Sequence, residues 1–320
     1  MSATDPGCRA IEADLMALAA GEATPVGAEA VERHVAGCAE CRADLARYRE
    51  VEGLLADLKD TPLPGVDATV ARAELESHLA DLRRRFITYG VFASPLGPIL
   101  IARTVEGVAA IEYLDASADA SRLVRRAGAD AQEDGVATED LYRDVLDYLA
   151  GRRNRFEWPL DLRGIRSDFQ RRVLEATARL PYGAVTSYSH IADEIGMPTA
   201  SRAVAQALRH NPVPLVIPCH RVIGSSGALT GYAGNKVGLK QRLLAIEGVP
   251  VGADRSLHVE RDRMYQLMRN EVEYCLPTCG SIGAEPLTRI TLFGSREGAE
   301  SAGFRPCSSC RPDLHPLSTS

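Results

Sequence analysis

No apolar run in these 320 residues approaches the roughly 20 needed to span a bilayer, so nothing suggests a helix crossing a membrane. The N-terminus lacks the positive charge that opens a signal peptide, with Asp5, Glu12 and Asp14 in its place. These two absences predict a cytoplasmic protein with no membrane partner. The even scatter of cysteines expected of a disulfide framework is missing as well. Seven of the eight fall into two groups, Cys8 with Cys38-x2-Cys41 and Cys275-x3-Cys279 with Cys307-x2-Cys310. Close pairs of this kind in a cytosolic chain read as metal sites before disulfides. Only Cys219 stands apart.

What is present is an ordinary globular balance, 45% hydrophobic and 25% charged, in a chain long enough for two or three domains. The net charge of -6 conceals an asymmetry. Residues 1–60 hold 6 Lys/Arg against 12 Asp/Glu, whereas residues 165–250 hold 10 against 5. A basic segment inside an acidic protein suits a polyanionic partner.

Cys219 lies in that basic segment, within Pro214-Leu215-Val216-Ile217-Pro218-Cys219-His220-Arg221-Val222-Ile223-Gly224. The apolar run predicts a buried, strand-like segment, with Pro218 stiffening the backbone that delivers the thiol. A free cysteine has a pKa of about 8.5, so the thiolate needs a base or a positive charge, and His220 and Arg221 are candidates. Adjacent side chains of an extended segment point to opposite faces, so contact between His220 and the sulfur requires a bridging water or a turn at Cys219. Upstream lies Thr199 to Pro214, rich in alanine; downstream lie Ser225-Ser226-Gly227, Gly231-Tyr232 and Leu243-Leu244-Ala245-Ile246-Glu247-Gly248. Together these resemble the O6-alkylguanine-DNA alkyltransferase family, whose acceptor motif is Pro-Cys-His-Arg. The match runs without a gap from about Ser167 to Tyr232.

The residues around the motif support the same geometry. Ser167-x2-Gln170 is a capping box opening a helix with Phe169, Val173, Thr177 and Leu180 inward, stopped by Pro181-Tyr182-Gly183. A second helix is expected from Tyr188 to Ile195 behind Ser187, and a third from about Thr199, giving helix, turn, helix. The third is lined with Ala200, Ser201, Ala203, Ala205 and Ala207, with Arg202 projecting from among them. The resemblance implies that this helix enters the minor groove and that Arg202 takes the place of a base rotated out of the stack. It further implies Cys219 as alkyl acceptor, His220 as base acting through water, Glu247 as the carboxylate orienting the imidazole, and Tyr188 as proton donor toward the purine. Tyr188, Arg202, Asn211, Ser225 and Tyr232 are the implied DNA contacts, with Tyr232 walling the pocket and Asn211 tying the recognition helix to the active site. No soluble cofactor is implied, since the protein is itself consumed. The chain departs from relatives at Met197 and Ser189 and has one residue more between Tyr232 and Glu247.

The flanks carry metal chemistry. In the first, His34 and Cys38 are four apart on one helix face, a turn at Gly37-Cys38-Ala39 lets Cys41 join them, and Cys8 is the fourth candidate ligand. With Glu32-Arg33-His34 and Arg42 around it, this segment resembles the zinc-binding domain of anti-sigma factors, which implies structural zinc and a sigma factor as partner. Thr61-Pro62-Leu63-Pro64-Gly65 reads as a linker, and residues 66–85 as a connecting helix ending in Arg83-Arg84-Arg85. In the second, Cys275, Cys279, Cys307 and Cys310 form a tetrahedral zinc pattern resembling the metal-binding domain of Ada proteins. There a zinc-bound cysteine accepts methyl from DNA phosphotriesters, and the matching position is Cys275. Residues 251–320 hold 8 Lys/Arg against 9 Asp/Glu, a poor surface for gripping phosphates, and the short bridge before Cys275 leaves little room for shaping strands. Structural zinc is the expectation.

The expected architecture is multidomain α/β. Residues 1–60 form a helical zinc module and 61–85 a linker with connecting helix. Residues 86–164 form a small strand-then-helix domain, ribonuclease H-like by the resemblance and without chemistry of its own. Residues 165–250 form a helix-turn-helix, winged-helix-like alkyltransferase domain, and 251–320 a bridge and four-cysteine zinc module. Strands are predicted at 86–92, 99–102 and 108–113, and helices near 118–128 and 138–150. The reading is single-turnover repair of double-stranded DNA carrying O6-alkylguanine by a monomer. A lesion-binding protein without transfer would lack the cysteine that Cys219 supplies. The remaining alternative is a damage- or redox-responsive regulator holding a sigma factor through residues 1–60.

Overall fold

The structure, a computed structural model, describes residues 8, 10–60, 68–114, 131–233, 236–252, 257–282 and 285–317. It divides into two compact units, Met1–His78 and Leu79–Ser320. The expected linker at 61–65, the side chains of Arg83 to Arg85 and the helix expected near 118–128 lie outside the described residues.

In the first unit three helices, α1 (Glu12–Ala19), α2 (Pro25–Gly37) and α3 (Ala39–Asp60), pack around Leu15, Val31, Cys41 and Leu45. The Thr24 side chain accepts the Gly27 N–H at 3.1 Å, and Pro25 occupies the first helical position, where it needs no N–H partner. The core is four buried side chains, small for a stable module of its own. Helix α4 (Ala68–Arg85) follows.

The second unit opens with a four-stranded sheet. β1 (Ile87–Phe92), β2 (Ile99–Arg103) and β3 (Val108–Tyr113) are antiparallel, as their apolar and aromatic residues predict. β4 (Ala131–Glu133) pairs parallel to β1 and carries no sequence signal, being three mostly polar residues. The order across the sheet is β3-β2-β1-β4. Helix α5 (Gly135–Leu149), capped by Asp134, packs on β1 and β2 and buries Thr138, Val145 and Tyr148.

Then come α6 (Asp168–Ala178), α7 (Tyr188–Glu194) and α8 (Ser201–Arg209), mutually packed. The Ser167 side chain accepts the Gln170 N–H at 3.3 Å, but the Gln170 amide does not return to Ser167. It reaches across to the His210 carbonyl at 3.1 Å, tying α6 to the end of α8. Between α6 and α7 lies a wholly buried strand, β5 (Ala184–Ser187), paired parallel with β6 (Val222–Ile223).

Two expectations are corrected here. The run from Pro214 to Ile217 is a chain of turns, not a strand, with Leu215 at φ 76. Pro212, Pro214 and Pro218 have no N–H for a ladder, so the apolar residues bury without pairing. The zinc module does not lack strands. β7 (Tyr265–Met268), β8 (Glu273–Cys275), β9 (Ile290–Phe293) and β10 (Arg305–Pro306) join β5 and β6 in one six-stranded sheet, ordered β10-β8-β7-β9-β5-β6. β9 pairs with β5 through Ala184 opposite Phe293 and Val185 opposite Leu292. The sheet therefore crosses the position between residues 250 and 251, and one buried cluster holds Val185, Ile223, Leu244 and Leu292 with Cys275, Cys279 and Cys307.

Candidate active site and metal centres

Cys219 opens a single 3-10 turn, Cys219–Arg221. Pro218, at φ -81 and ψ 63, makes the tight reversal before it, in which the Cys219 N–H meets the Ile217 carbonyl at 2.8 Å. Of the two devices that sequence reasoning left open, a bridging water or a turn at Cys219, the turn is present. It lets Cys219, His220 and Arg221 all point inward, where each is buried. Asn211, placed just past α8 by the helix-ending Pro212, donates to the Ile217 carbonyl at 2.8 Å and to the Cys219 sulfur at 3.2 Å, and accepts the Val213 N–H at 3.0 Å. Just past α8, one amide thus ties the turn and the thiol together.

Glu247 follows α9 (Val237–Ile246) and is the hub of the site. Its Oε1 accepts from His220 Nε2 at 2.5 Å, from Arg221 Nη2 at 3.0 Å and from the Tyr148 hydroxyl. Its Oε2 accepts from Arg221 Nε at 2.8 Å and from the Gly183 N–H at 3.0 Å. Gly183 sits at φ +71, and a Cβ there would meet the Glu247 carbonyl at 2.9 Å, so glycine allows both the conformation and the approach. Arg221 also donates to the Leu180 carbonyl at 2.6 Å.

Burial alone would push the Glu247 carboxyl up. The charge of Arg221 and the hydrogen bonds donated by His220 and Arg221 outweigh it and hold the group well below the usual carboxylate range. Burial holds His220 down against the pull of Glu247, so the imidazole is the neutral, basic form. Its Nε2–H is committed to Glu247, and its buried Nδ1 has no protein partner among the described residues. Burial also raises the Cys219 thiol, opposed by the Asn211 hydrogen bond and the charge of Lys240. Cys219 is thus a buried protonated thiol and His220 a neutral imidazole whose Nδ1 stays available as a base.

Lys240, fully buried on α9, donates to the carbonyls of Val222 at 2.5 Å and Thr230 at 3.1 Å and lies over the Tyr188 ring. Burial brings it down to about 8. Tyr188, at the start of α7, donates to the Thr230 carbonyl at 3.1 Å. Tyr232 is buried with its hydroxyl 2.9 Å from that of Tyr113 and its ring edge-on to His220. Arg202 and Ser225 are exposed, apart from this network. On α8 the outward residues are Arg202, Ala203, Gln206 and Arg209, while Val204, Ala207 and Leu208 pack inward.

Sequence reasoning missed Tyr148, Tyr113 and Lys240, which reach the site from α5, β3 and α9. It noticed Arg221 only as a possible charge for the thiol, whereas Arg221 grips Glu247. A lysine amid Leu239, Leu243 and Leu244 was the one legible signal. A cavity of about 590 Å³ is lined by Tyr148, Arg221 and Glu247 among others, and not by Cys219 or His220.

Both cysteine groups assemble. The ligand atoms of Cys8, His34, Cys38 and Cys41 all lie within 4.8 Å of one another, as do the sulfurs of Cys275, Cys279, Cys307 and Cys310. Three thiols with one imidazole, and four thiols, drawn this close are zinc donor sets, and the residues fit the ion. The Cys8 sulfur is 3.6 Å from His34 Nε2 and 3.9 Å from the Cys38 sulfur. Cys275 is buried in β8, and Cys310 is the partly exposed member of its group.

The described part of the bridge after Gly248 pairs with the alkyltransferase segment. The Val259 N–H meets the Gly227 carbonyl at 3.0 Å and the Leu229 N–H the Leu257 carbonyl at 2.8 Å, so it braces the loop carrying Ser225. No helix among the described residues is long and apolar enough to cross a membrane.

Four family models match the chain. "6-O-methylguanine DNA methyltransferase, ribonuclease-like domain" covers residues 87–162, and the DNA binding domain of the same description covers residues 168–249. A zinc-finger model covers residues 8–42, and "Metal binding domain of Ada" covers residues 262–313. A methylated-DNA--protein-cysteine methyltransferase of Mycobacterium tuberculosis strain H37Rv is 40% identical over 171 residues, 53% of this chain and 98% of that protein. The constitutive enzyme of the same name from Bacillus subtilis is 48% identical over 107 residues, 33% of this chain and 64% of that protein. A crystal structure of Mycobacterium tuberculosis OGT in complex with DNA is similar over 50% of this chain and 92% of its own, at 37% identity and a TM-score of 0.44.

Proposed function

The chain belongs to the methylated-DNA--protein-cysteine methyltransferase family, and from that premise we propose that Cys219 is the residue its repair reaction consumes. The protein moves an alkyl group from guanine O6 in DNA directly onto its own cysteine. Each molecule acts once and no soluble cofactor takes part.

The observation that carries the assignment is the relay behind the sulfur. Neutral His220 has Nε2–H fixed by Glu247 and Nδ1 left over, and the residue before it in the chain is a thiol held by Asn211. In the proposed step the sulfur attacks the alkyl carbon as the carbon–O6 bond breaks. The thiol proton passes through water to His220 Nδ1, and the departing guanine takes a proton from Tyr188, restored from solvent. Lys240, over the Tyr188 ring, favours the developing thiolate. Arg202 on the outer face of α8 fills the space of the extruded base, Ser225 contacts the flipped nucleotide or its phosphate, and Tyr232 walls the pocket. Flipping costs a few kcal/mol, which these contacts offset.

We read residues 86–164 as ribonuclease H-like and 165–250 as winged-helix-like, acting in the cytoplasm as a monomer on duplex DNA. The buried position of Cys275 supports a structural zinc on the four cysteines over phosphotriester repair. Exposed Val51, Leu54 and Leu55 on α3 support a protein partner, of the sigma-factor kind, for residues 1–60.

The test is incubation with O6-methylguanine duplex followed by peptide mass mapping. One methyl group on Cys219 is expected, with none on the Cys219→Ala protein while that protein still binds the duplex. A methylated wild type carrying no label at Cys219 overturns the assignment.

A further inference from the structure

The geometry points to Tyr148 as a positioning residue of the transfer reaction, its hydroxyl holding Glu247 Oε1 in the orientation that His220 needs. This rests on the reading that Cys219 is the acceptor and His220 its base. It assigns a part in the active site to α5, a helix of the segment that sequence reasoning left without chemistry.

Tyr148 lies on the last turn of α5, fully buried, and 99 residues before Glu247. Its hydroxyl donates to Glu247 Oε1, accepts from Arg221 Nη2 at 3.3 Å, and lies 3.4 Å from His220 Nε2. Its ring is held by Phe156 at 5.1 Å and, edge-on, by Tyr182 at 5.8 Å. A hydroxyl fixed on such a ring cannot follow Glu247 if the carboxylate turns.

Three donors converge on Oε1, and two of them belong to groups that carry or acquire positive charge. The phenol is the neutral one. It withdraws electron density from Oε1 without adding charge, so it orients the carboxylate while moderating how strongly that oxygen draws a proton onto the imidazole. Without the hydroxyl, Oε1 becomes a stronger base, His220 holds its proton more tightly, and the neutral form able to take the thiol proton is populated only at higher pH. The groups facing His220 are Glu247, Tyr148, Arg221 and Lys240, with the Tyr232 ring edge; those facing Tyr148 are Glu247, Arg221, His220 and the rings of Phe156 and Tyr182. Arg221 and Lys240 stay charged through the acid range, so they do not mimic this titration.

The full-length, metal-loaded protein is used, and single-turnover methyl transfer from O6-methylguanine duplex to Cys219 is followed as a function of pH. Tyr148→Phe keeps the ring and removes the donor. It is expected to slow transfer about tenfold near neutrality and to move the acid limb of the rate profile to higher pH, with duplex affinity unchanged. Tyr142→Phe, on the same helix, loses a hydroxyl bonded to the Ala93 carbonyl at 2.6 Å and should leave the limb in place. Replacing Tyr148 alone with 3-fluorotyrosine keeps the shape and strengthens the donor, so the limb should move to lower pH; this protein decides the matter if Tyr148→Phe does not fold. A lowered melting temperature with the wild-type limb, or a fluorotyrosine protein with no shift, overturns the role. A wild type that transfers no methyl to Cys219 overturns the underlying reading, and this inference with it.

Discussion

Lys240 brings a positive charge into the interior that holds Cys219, where backbone carbonyls and the Tyr188 ring receive it. Burial lowers it from 10.5 to about 8. Between those values the unfolded chain binds the proton and the folded protein does not, so stability rises as pH climbs through that window. In Lys240→Met this rise should vanish from the difference between melting curves taken across the alkaline range. The same substitution removes the cation that favours the Cys219 thiolate. Near pH 7, where Lys240 still carries its charge, alkylation of Cys219 by iodoacetamide should slow about tenfold. An unchanged rate at pH 7 in a folded variant would show that Lys240 serves packing alone.

Among the elements, β5 and β9 decide how the acceptor site is supported. Gly183, at the head of β5, gives its N–H to Glu247 and its carbonyl to the Gly294 N–H at 2.9 Å. Gly294, just past β9, approaches the turn after Glu247 so closely that a Cβ would meet the Gly248 carbonyl at 2.3 Å. A strand of the zinc module therefore presses against the backbone on both sides of the relay. Gly294→Ala must push the two apart, and it should cost about 1–3 kcal/mol of stability by denaturant titration. It should also slow transfer at Cys219 without altering zinc content. Full stability and rate would mean that the β9 contact is incidental to the site.

At the scale of the molecule, the two metal centres differ in what depends on them. The first supports a unit whose core is four side chains, where metal binding is expected to supply on the order of 10 kcal/mol. The second lies in a cluster shared with Val185, Ile223 and Leu244 around β5 and β6. Cys38→Ser should abolish helical structure in residues 8–60 and leave transfer at Cys219 within about twofold, as for independent sites. Cys307→Ser should lower the melting temperature of the second unit and slow transfer. Circular dichroism with a metal count and the transfer assay separate the cases, and equal effects of the two variants would refute this division.

The sequence by itself determined what is local. Cys219, His220 and Arg221 are consecutive, and Ser167 and Ser187 cap helices within three residues of themselves. The zinc ligands come in pairs one turn apart, because chelation by neighbouring residues fixes their spacing. The helices of the first unit were legible from apolar residues at helical spacing, Ile11, Leu15 and Leu18 and then Val31 and Val35, and three strands of the four-stranded sheet from their apolar and aromatic residues. Tertiary structure alone decided what depends on chain segments far apart. β5 is four residues buried on every side, so it has no alternation to read, and its partner β9 lies a hundred residues on. Nothing in the sequence of α5 sets Tyr148 apart, and only packing brings its hydroxyl to Glu247. The turn that aims Cys219 inward was hidden for a related reason. Hydrophobic pattern reports burial, whereas the three prolines and the left-handed Leu215 decide the path by which the chain achieves it.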